Sequence, residues 1–158
     1  MSGKRPARPR ILVADDEQFI LDFHRYILCD EKDSDRPLAT SFDVVCCRQA
    51  EDAVEAVRKA KKQKRPFAVV FLDVCMPPGQ DGIWAAEQIR RLDPHTQIVL
   101  MTGNSEVDPL EVVERAPPPE KLLYVRKPCH PQEVRQFASA LSAKWEAEQK
   151  LERVHSQL

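Results

Sequence analysis

Glycine is scarce in this 158-residue chain, with four in all, and no glycine-rich run follows its first apolar segment. That argues against the backbone cradle with which flavodoxin-like and nucleotide-binding proteins hold phosphate. Long apolar runs are also missing, and none approaches the roughly 20 consecutive apolar residues that a membrane-spanning helix needs. The formal net charge is −1, so no global positive field exists to attract nucleic acid or a membrane surface. Cys29, Cys46, Cys47, Cys75 and Cys129 are odd in number and lack Cys-x-x-Cys spacing. They read as free thiols of a reducing cytoplasm rather than as a disulfide frame. Cys46 and Cys47 are neighbours on an expected strand, so they point to opposite faces and cannot readily share a metal. The first nine residues are basic and proline-rich without an apolar segment. They are expected to form a disordered arm, not a signal peptide.

Five short apolar runs stand against these absences: Ile11 to Ala14, Phe42 to Cys47, Ala68 to Leu72, Ile98 to Met101 and Leu122 to Val125. Most are continuous rather than alternating, as strands covered on both faces must be. Asp43 interrupts the second, which suggests a sheet edge. Helix-period segments separate the runs. Phe19, Ile20, Phe23 and Ile27 share one face, as do Ala50, Ala53, Val54 and Val57, and the segment from Gly82 to Leu92 carries Ile83, Ala86 and Ile89. Asp108-Pro109-Leu110-Glu111 reads as a helix start, with a cap, a proline at the first position and an acid in the first turn. That helix must end before Pro117. A last helix begins near Pro131 with Val134, Phe137 and Leu141 inward. Five strand–helix repeats predict an α/β fold: a flavodoxin-like, doubly wound (βα)5 parallel sheet of strand order 2-1-3-4-5 with an extended C-terminal helix.

In such a sheet, sites form at the carboxyl ends of the strands. Asp15 and Asp16 end the first strand, Asp73 the third and Thr102 the fourth, and Lys127 follows the fifth by two residues. Three carboxylates on one rim repel one another unless protons or a cation neutralise them. Magnesium, a hard cation that takes a few carboxylates and keeps several waters, suits them. A carboxylate is a competent nucleophile toward a phosphoryl group. Lys127 offers a positive charge for phosphate oxygens, Thr102 a hydroxyl donor, and Gly103 leaves room beside Asp73. Singly, each piece is as well read as a helix cap or a solvated side chain; the set on one rim is what points to phosphoryl chemistry.

Val13-Ala14-Asp15-Asp16-Glu17, Phe71-Leu72-Asp73-Val74-Cys75-Met76-Pro77 with Asp81-Gly82, Met101-Thr102-Gly103 and Tyr124-Val125-Arg126-Lys127-Pro128 together resemble the receiver domain of two-component response regulators, the CheY-like family. The resemblance runs from about residue 10 to 143. It implies that Asp73 accepts a phosphoryl group from a histidine kinase or phosphotransfer protein. It implies Mg2+ held by Asp16 directly, by Asp15 largely through water, by Asp73, and by the backbone carbonyl of Cys75. Thr102 and Lys127 would bind the phosphoryl oxygens, Tyr124 would be the switch aromatic, and the Lys127-Pro128 bond would be cis. The module would signal rather than turn over substrate. It would be cytoplasmic, and its output would leave through the fourth helix, fifth strand and fifth helix. The loop from Pro77 to Gly82 is one residue longer than the family's usual loop, and Cys129 replaces an aromatic common after Lys-Pro.

Other features carry less. The basic run Arg58 to Arg65 suits the solvated C-terminal end of a helix, and no direct nucleic-acid binding is expected of it. Residues 144–158 prolong the fifth helix. Val134, Phe137, Leu141, Leu151 and Leu158 fit a heptad seam broken by Lys144, Glu148 and His155, which would suit a homodimer or a link to a C-terminal output domain. Two other readings stay open. A magnesium-dependent aspartyl-phosphate phosphohydrolase of the haloacid dehalogenase type would want a second acid two residues after the nucleophile, where Cys75 stands. A phosphate-independent interaction domain would have no use for the complete Asp, Thr and Lys set.

Overall fold

A computed structural model describes residues 8–29, 41–103 and 107–157. The expected arm apart from its last two residues, the polar loop 30–40, and Leu158 of the expected seam lie outside the described residues. The elements alternate: β1 (Arg10–Ala14), α1 (Gln18–Leu28), β2 (Asp43–Cys47), α2 (Ala50–Lys62), β3 (Val69–Asp73), α3 (Gly82–Leu92), β4 (Gln97–Thr102), α4 (Pro109–Arg115), a 3-10 turn (Pro119–Lys121), β5 (Leu122–Arg126) and α5 (Pro131–Ser156). The strands form one parallel sheet ordered β2-β1-β3-β4-β5. β2, opened by Asp43, lies at an edge, as its broken pattern foretold.

Successive side chains of the inner strands enter different cores, because strand side chains alternate between faces. Leu12, Val70, Leu72, Ile98 and Leu100 pack with α2, α3 and α4; Ile11, Val13, Phe71, Val99 and Met101 pack with α1 and α5. Two cores explain why these runs are apolar without a break. Each fully buried Leu or Ile contributes roughly 1.5–3 kcal/mol relative to exposure. Cys46 and Cys47 join opposite cores, as expected of strand neighbours, and all five cysteines are free thiols.

The helix ends follow local chemistry. Asp108 accepts a hydrogen bond from the Leu110 N–H, and Pro109 opens α4. His130 and Glu133 form a reciprocal capping box at the start of α5. The basic end of α2 is solvated, with Lys59, Lys61 and Lys62 in its last turn.

Two helical faces differ from expectation. α1 buries Leu21, His24, Ile27 and Leu28, whereas Phe19 is 75% exposed. The first turn of α1 stands beside the segment from Lys127 to Cys129 and leaves an apolar groove of about 260 Å3 there instead of closing over it. In α5 Val134, Ala138 and Ser142 are buried and Phe137 and Leu141 pack partly buried against the same core, as expected, while Leu151 of the expected seam is exposed. Small residues at 138 and 142 let the helix approach the sheet, and Glu148, which breaks the expected seam, lies on the docked side near Lys121 (3.7 Å) and Gln97 (3.3 Å).

Candidate functional site

The parallel arrangement points all five carboxyl ends to one rim, and central β1 and β3 are neighbours. Pairing continues just past the strands and fixes the residues there. The Asp15 N–H donates to the Cys47 carbonyl at 3.0 Å, Val74 N–H to the Met101 carbonyl at 3.0 Å, and Lys127 N–H to the Thr102 carbonyl at 2.8 Å. The last of these brings Lys127 back over the rim. The Lys127-Pro128 peptide is cis, as the resemblance implied; Pro77-Pro78 and Pro117-Pro118 are cis as well.

Lys127 Nζ lies 3.0 Å from Asp15 Oδ2 and 3.2 Å from Asp73 Oδ1. Asp15 is 2% exposed and Asp73 8%. Asp15 Oδ1 also accepts from the Glu17 N–H at 3.0 Å, and Asp73 Oδ1 receives a longer bond from the Cys75 N–H at 3.4 Å. Asp15, Asp16 and Asp73 each place a carboxylate oxygen within 4.8 Å of the others. Burial first, then repulsion from Asp15, raises the Asp73 pKa above the ordinary carboxylate value, and the nearby Lys127 only partly opposes this. Burial pulls the Lys127 pKa down, but its bonds to Asp15 and Asp73 outweigh that and leave it raised.

Three carboxylates facing one ammonium leave the site short of positive charge. Their oxygens are hard donors and converge, and the Cys75 thiol is not among the converging atoms. The donor set therefore suits a hard divalent cation. Above it lies an open cavity of about 490 Å3, whose wall includes Asp16, Asp73, Cys75, Thr102 and Lys127. Thr102 is buried at the end of β4, and among the described residues no neighbouring atom crowds the Cβ direction of Gly103. Tyr124, half-buried on β5 opposite Leu100, packs against the core shared with α2, α3 and α4. Asp15, Asp16, Asp73, Cys75, Thr102 and Lys127 thus reach one rim, whereas Tyr124 lies within β5, opposite Leu100 and against the core.

Glu17 and Asp81 also line the cavity, although sequence reasoning gave them no role. Asp81 caps α3 through the Trp84 N–H at 2.8 Å. Gly82 beside it donates to the Val74 carbonyl at 2.7 Å, and a Cβ there would sit 2.1 Å from the Asp73 carbonyl oxygen. The Asp81-Gly82 pair was the available signal: only glycine lets α3 begin against the backbone of the acidic strand end. His24 left no signal. It is 3% exposed, stacks on Phe71 with centroids 6.1 Å apart, and burial lowers its pKa.

A five-stranded parallel sheet of order β2-β1-β3-β4-β5 that gathers three carboxylates and an ammonium on its carboxyl rim defines a doubly wound α/β domain with an acidic rim site. Residues 11–139 match the family model of the response regulator receiver domain. This chain belongs to that family, and so to two-component signalling. It is similar to the transcriptional regulatory protein AruR of Pseudomonas aeruginosa, with 30% identity over 127 residues, 80% of this chain and 46% of that protein. A shorter match, 38% over 55 residues, covers 35% of this chain and 7% of the transcription factor SKN7 of Chaetomium thermophilum. The chain therefore spans less than half the length of these curated relatives. Its fold is like that of a CheY-like receiver domain protein from Methanospirillum hungatei JF-1 (TM-score 0.72, 20% identity, 90% of this chain and 99% of that one). It is also like that of a chain described as an adenylate cyclase from Rhodopirellula baltica (TM-score 0.75, 21% identity, 96% and 99%). Among the described residues, no helix is long and apolar enough to cross a membrane.

Proposed function

We propose that Asp73 is the phospho-acceptor of this receiver domain and that the domain acts as a Mg2+-dependent switch. The observation that carries this reading is the Lys127 ammonium set between Asp15 and Asp73, with Asp16 completing a convergent group of carboxylates. A carboxylate oxygen of Asp73 attacks the phosphorus of a phosphohistidine; the P–N bond breaks and the imidazole leaves with its electron pair. An acyl phosphate results, and water later returns the carboxylate and inorganic phosphate. Asp15, Asp16, Asp73 and the Cys75 carbonyl would hold Mg2+, which would supply positive charge to offset that on the phosphoryl oxygens. Lys127 exchanges a carboxylate partner for a phosphoryl oxygen, and the Thr102 hydroxyl donates to another. Positioning and charge suffice for this chemistry.

The added phosphoryl group carries nearly two negative charges. It draws Thr102 inward, which frees space for Tyr124 and reshapes the surface of α4, β5 and α5. The shift in population is limited by the difference in phosphate interaction between the two states. The donor is a histidine kinase or phosphotransfer protein, and the exposed Phe19 and the apolar groove beside Lys127 offer it a docking surface. We read the domain (residues 10–143) as cytoplasmic and as a signalling module whose only reactions are taking up and slowly losing its own phosphoryl group. Residues 144–158 would lead to an output module or pair two copies.

A small-molecule phosphodonor with Mg2+ tests the acceptor assignment. The wild type gains one phosphoryl group by intact mass, and Asp73→Asn gains none. Undiminished labelling of Asp73→Asn would rule out the assignment.

A further inference from the structure

We infer that Gln49 is a positioning residue for phosphoryl transfer, acting through a clamp that it, Glu51 and Gly79 form on the β3–α3 loop. The inference rests on the acceptor role proposed for Asp73. Gln49 precedes α2 but does not cap it with its side chain. Its amide instead spans to the loop: Nε2 donates to the Pro77 carbonyl at 3.1 Å, and Oε1 accepts from the Gly79 N–H at 3.1 Å. Glu51, two residues further on, accepts from the Gln80 N–H at 2.8 Å, and that bond lowers its pKa. The clamp's two sides are about thirty residues apart in sequence, at 49–51 and 77–80.

Gly79 makes so close an approach possible. A Cβ there would lie 2.6 Å from Glu51 Oε2 and 2.7 Å from Gln49 Oε1. Its φ is not positive, so glycine here gives the Gln49 and Glu51 side chains room to reach the loop rather than a special backbone conformation. The loop held this way is a wall of the site. Pro77 at its start and Asp81 just beyond it line the cavity over Asp73. A fixed wall restricts the directions from which a donor reaches the Asp73 carboxylate, and orientation of this kind governs reaction frequency without touching the reacting groups. Asp73, Lys127 and Thr102 make none of the clamp bonds, so loosening it leaves the chemistry intact and weakens donor alignment.

The test compares wild type, Gln49→Ala, Gly79→Ala and Glu51→Gln. Phosphoramidate with Mg2+ is the donor, and amide hydrogen exchange is followed in parallel. The two clamp bonds lost in Gln49→Ala should raise the half-saturating donor concentration about fivefold. The rate at saturation and the Mg2+ affinity should stay within about twofold of wild type, because no reacting group or carboxylate of the site is altered. Gly79→Ala should behave like Gln49→Ala. Glu51→Gln keeps an acceptor for Gln80 and should behave like wild type. Exchange at Gly79 should accelerate in Gln49→Ala. Unchanged exchange there would show that the clamp does not form in solution. Faster exchange with unchanged donor dependence would make the clamp structural only. A Glu51→Gln variant as impaired as Gln49→Ala would assign the effect to charge rather than position. Any of the three overturns the inference. Failure of the wild type itself to label would count against Asp73 as acceptor, and the exchange data would then judge the clamp separately.

Discussion

The Asp73 carboxyl stays above its ordinary pKa even with the Lys127 ammonium 3.2 Å away, because burial and Asp15 outweigh that attraction. The sign of the linkage follows. The folded chain holds a proton on Asp73 at pH values where the unfolded chain, near 3.8, has lost it. The stability contributed by this group therefore falls as pH rises through the window between 3.8 and the raised value, and at neutral pH the metal-free protein bears the cost. Asp73→Asn should melt at a higher temperature than wild type in a chelator at pH 7. Mg2+ should raise the melting temperature of the wild type by more than that of the variant. A lower melting temperature for the chelated variant would contradict this. His24 has the opposite linkage. Its folded pKa lies below 6.5 through burial, with Asp15 opposing the shift and Lys127 adding to it. The unfolded chain protonates first, so stability drops as pH falls below 6.5. His24→Leu should flatten that part of the pH–stability curve in denaturant titrations.

Elements were legible where local pattern and tertiary role agree. Continuous runs such as Val69 to Leu72 announced doubly covered strands because both faces of the sheet are core. The rim residues were legible because a parallel sheet leaves its strand ends little choice of where to point. Faces of helices were less so. Phe19 looks like a core residue by spacing but stands at the open end of α1, and Leu151 lies past the last buried position of α5. Arg90 was invisible. It resembles any solvated cation in a last helical turn, yet it is buried and donates to the Thr96 carbonyl at 2.7 Å and the Lys121 carbonyl at 3.0 Å. Arg90→Ala would strand those carbonyls and should cost about 2–3 kcal/mol in chemical denaturation, with the site of phosphorylation unchanged. At Gly82 a Cβ would press on the Asp73 carbonyl oxygen. Gly82→Ala should cost roughly 1–3 kcal/mol through overpacking and, unlike Arg90→Ala, slow labelling of Asp73. Equal labelling rates in the two variants would show that α3 does not set the acceptor's position.

The whole molecule joins a sheet rim that handles charge to a long helix that leaves the opposite end. α5 runs without a break through residues 143–144, and polar contacts hold it to the start of β4: Gln97 with Glu148, and His95 with Glu152 at 3.4 Å. Leu151, beside that bracing, and Val154, beyond it, are exposed on the same helix. Amide exchange should therefore be slow from about residue 134 to 148 and markedly faster over 153–157, since local opening follows the density of buried contacts. Uniform protection to the end of α5 would mean that another surface covers the last turns.

The role proposed for Asp73, a cation-dependent acceptor, rests on convergent carboxylates and one ammonium. It is tested most directly by locating the phosphoryl group. After exposure to a small phosphodonor, the protein is digested and the modified peptide sequenced by mass spectrometry, with Mg2+ present or chelated. One acyl phosphate is expected, on Asp73, formed when Mg2+ is present and not formed when it is chelated. A phosphoryl group on any other residue, or full labelling of Asp73 in the chelator, would contradict it.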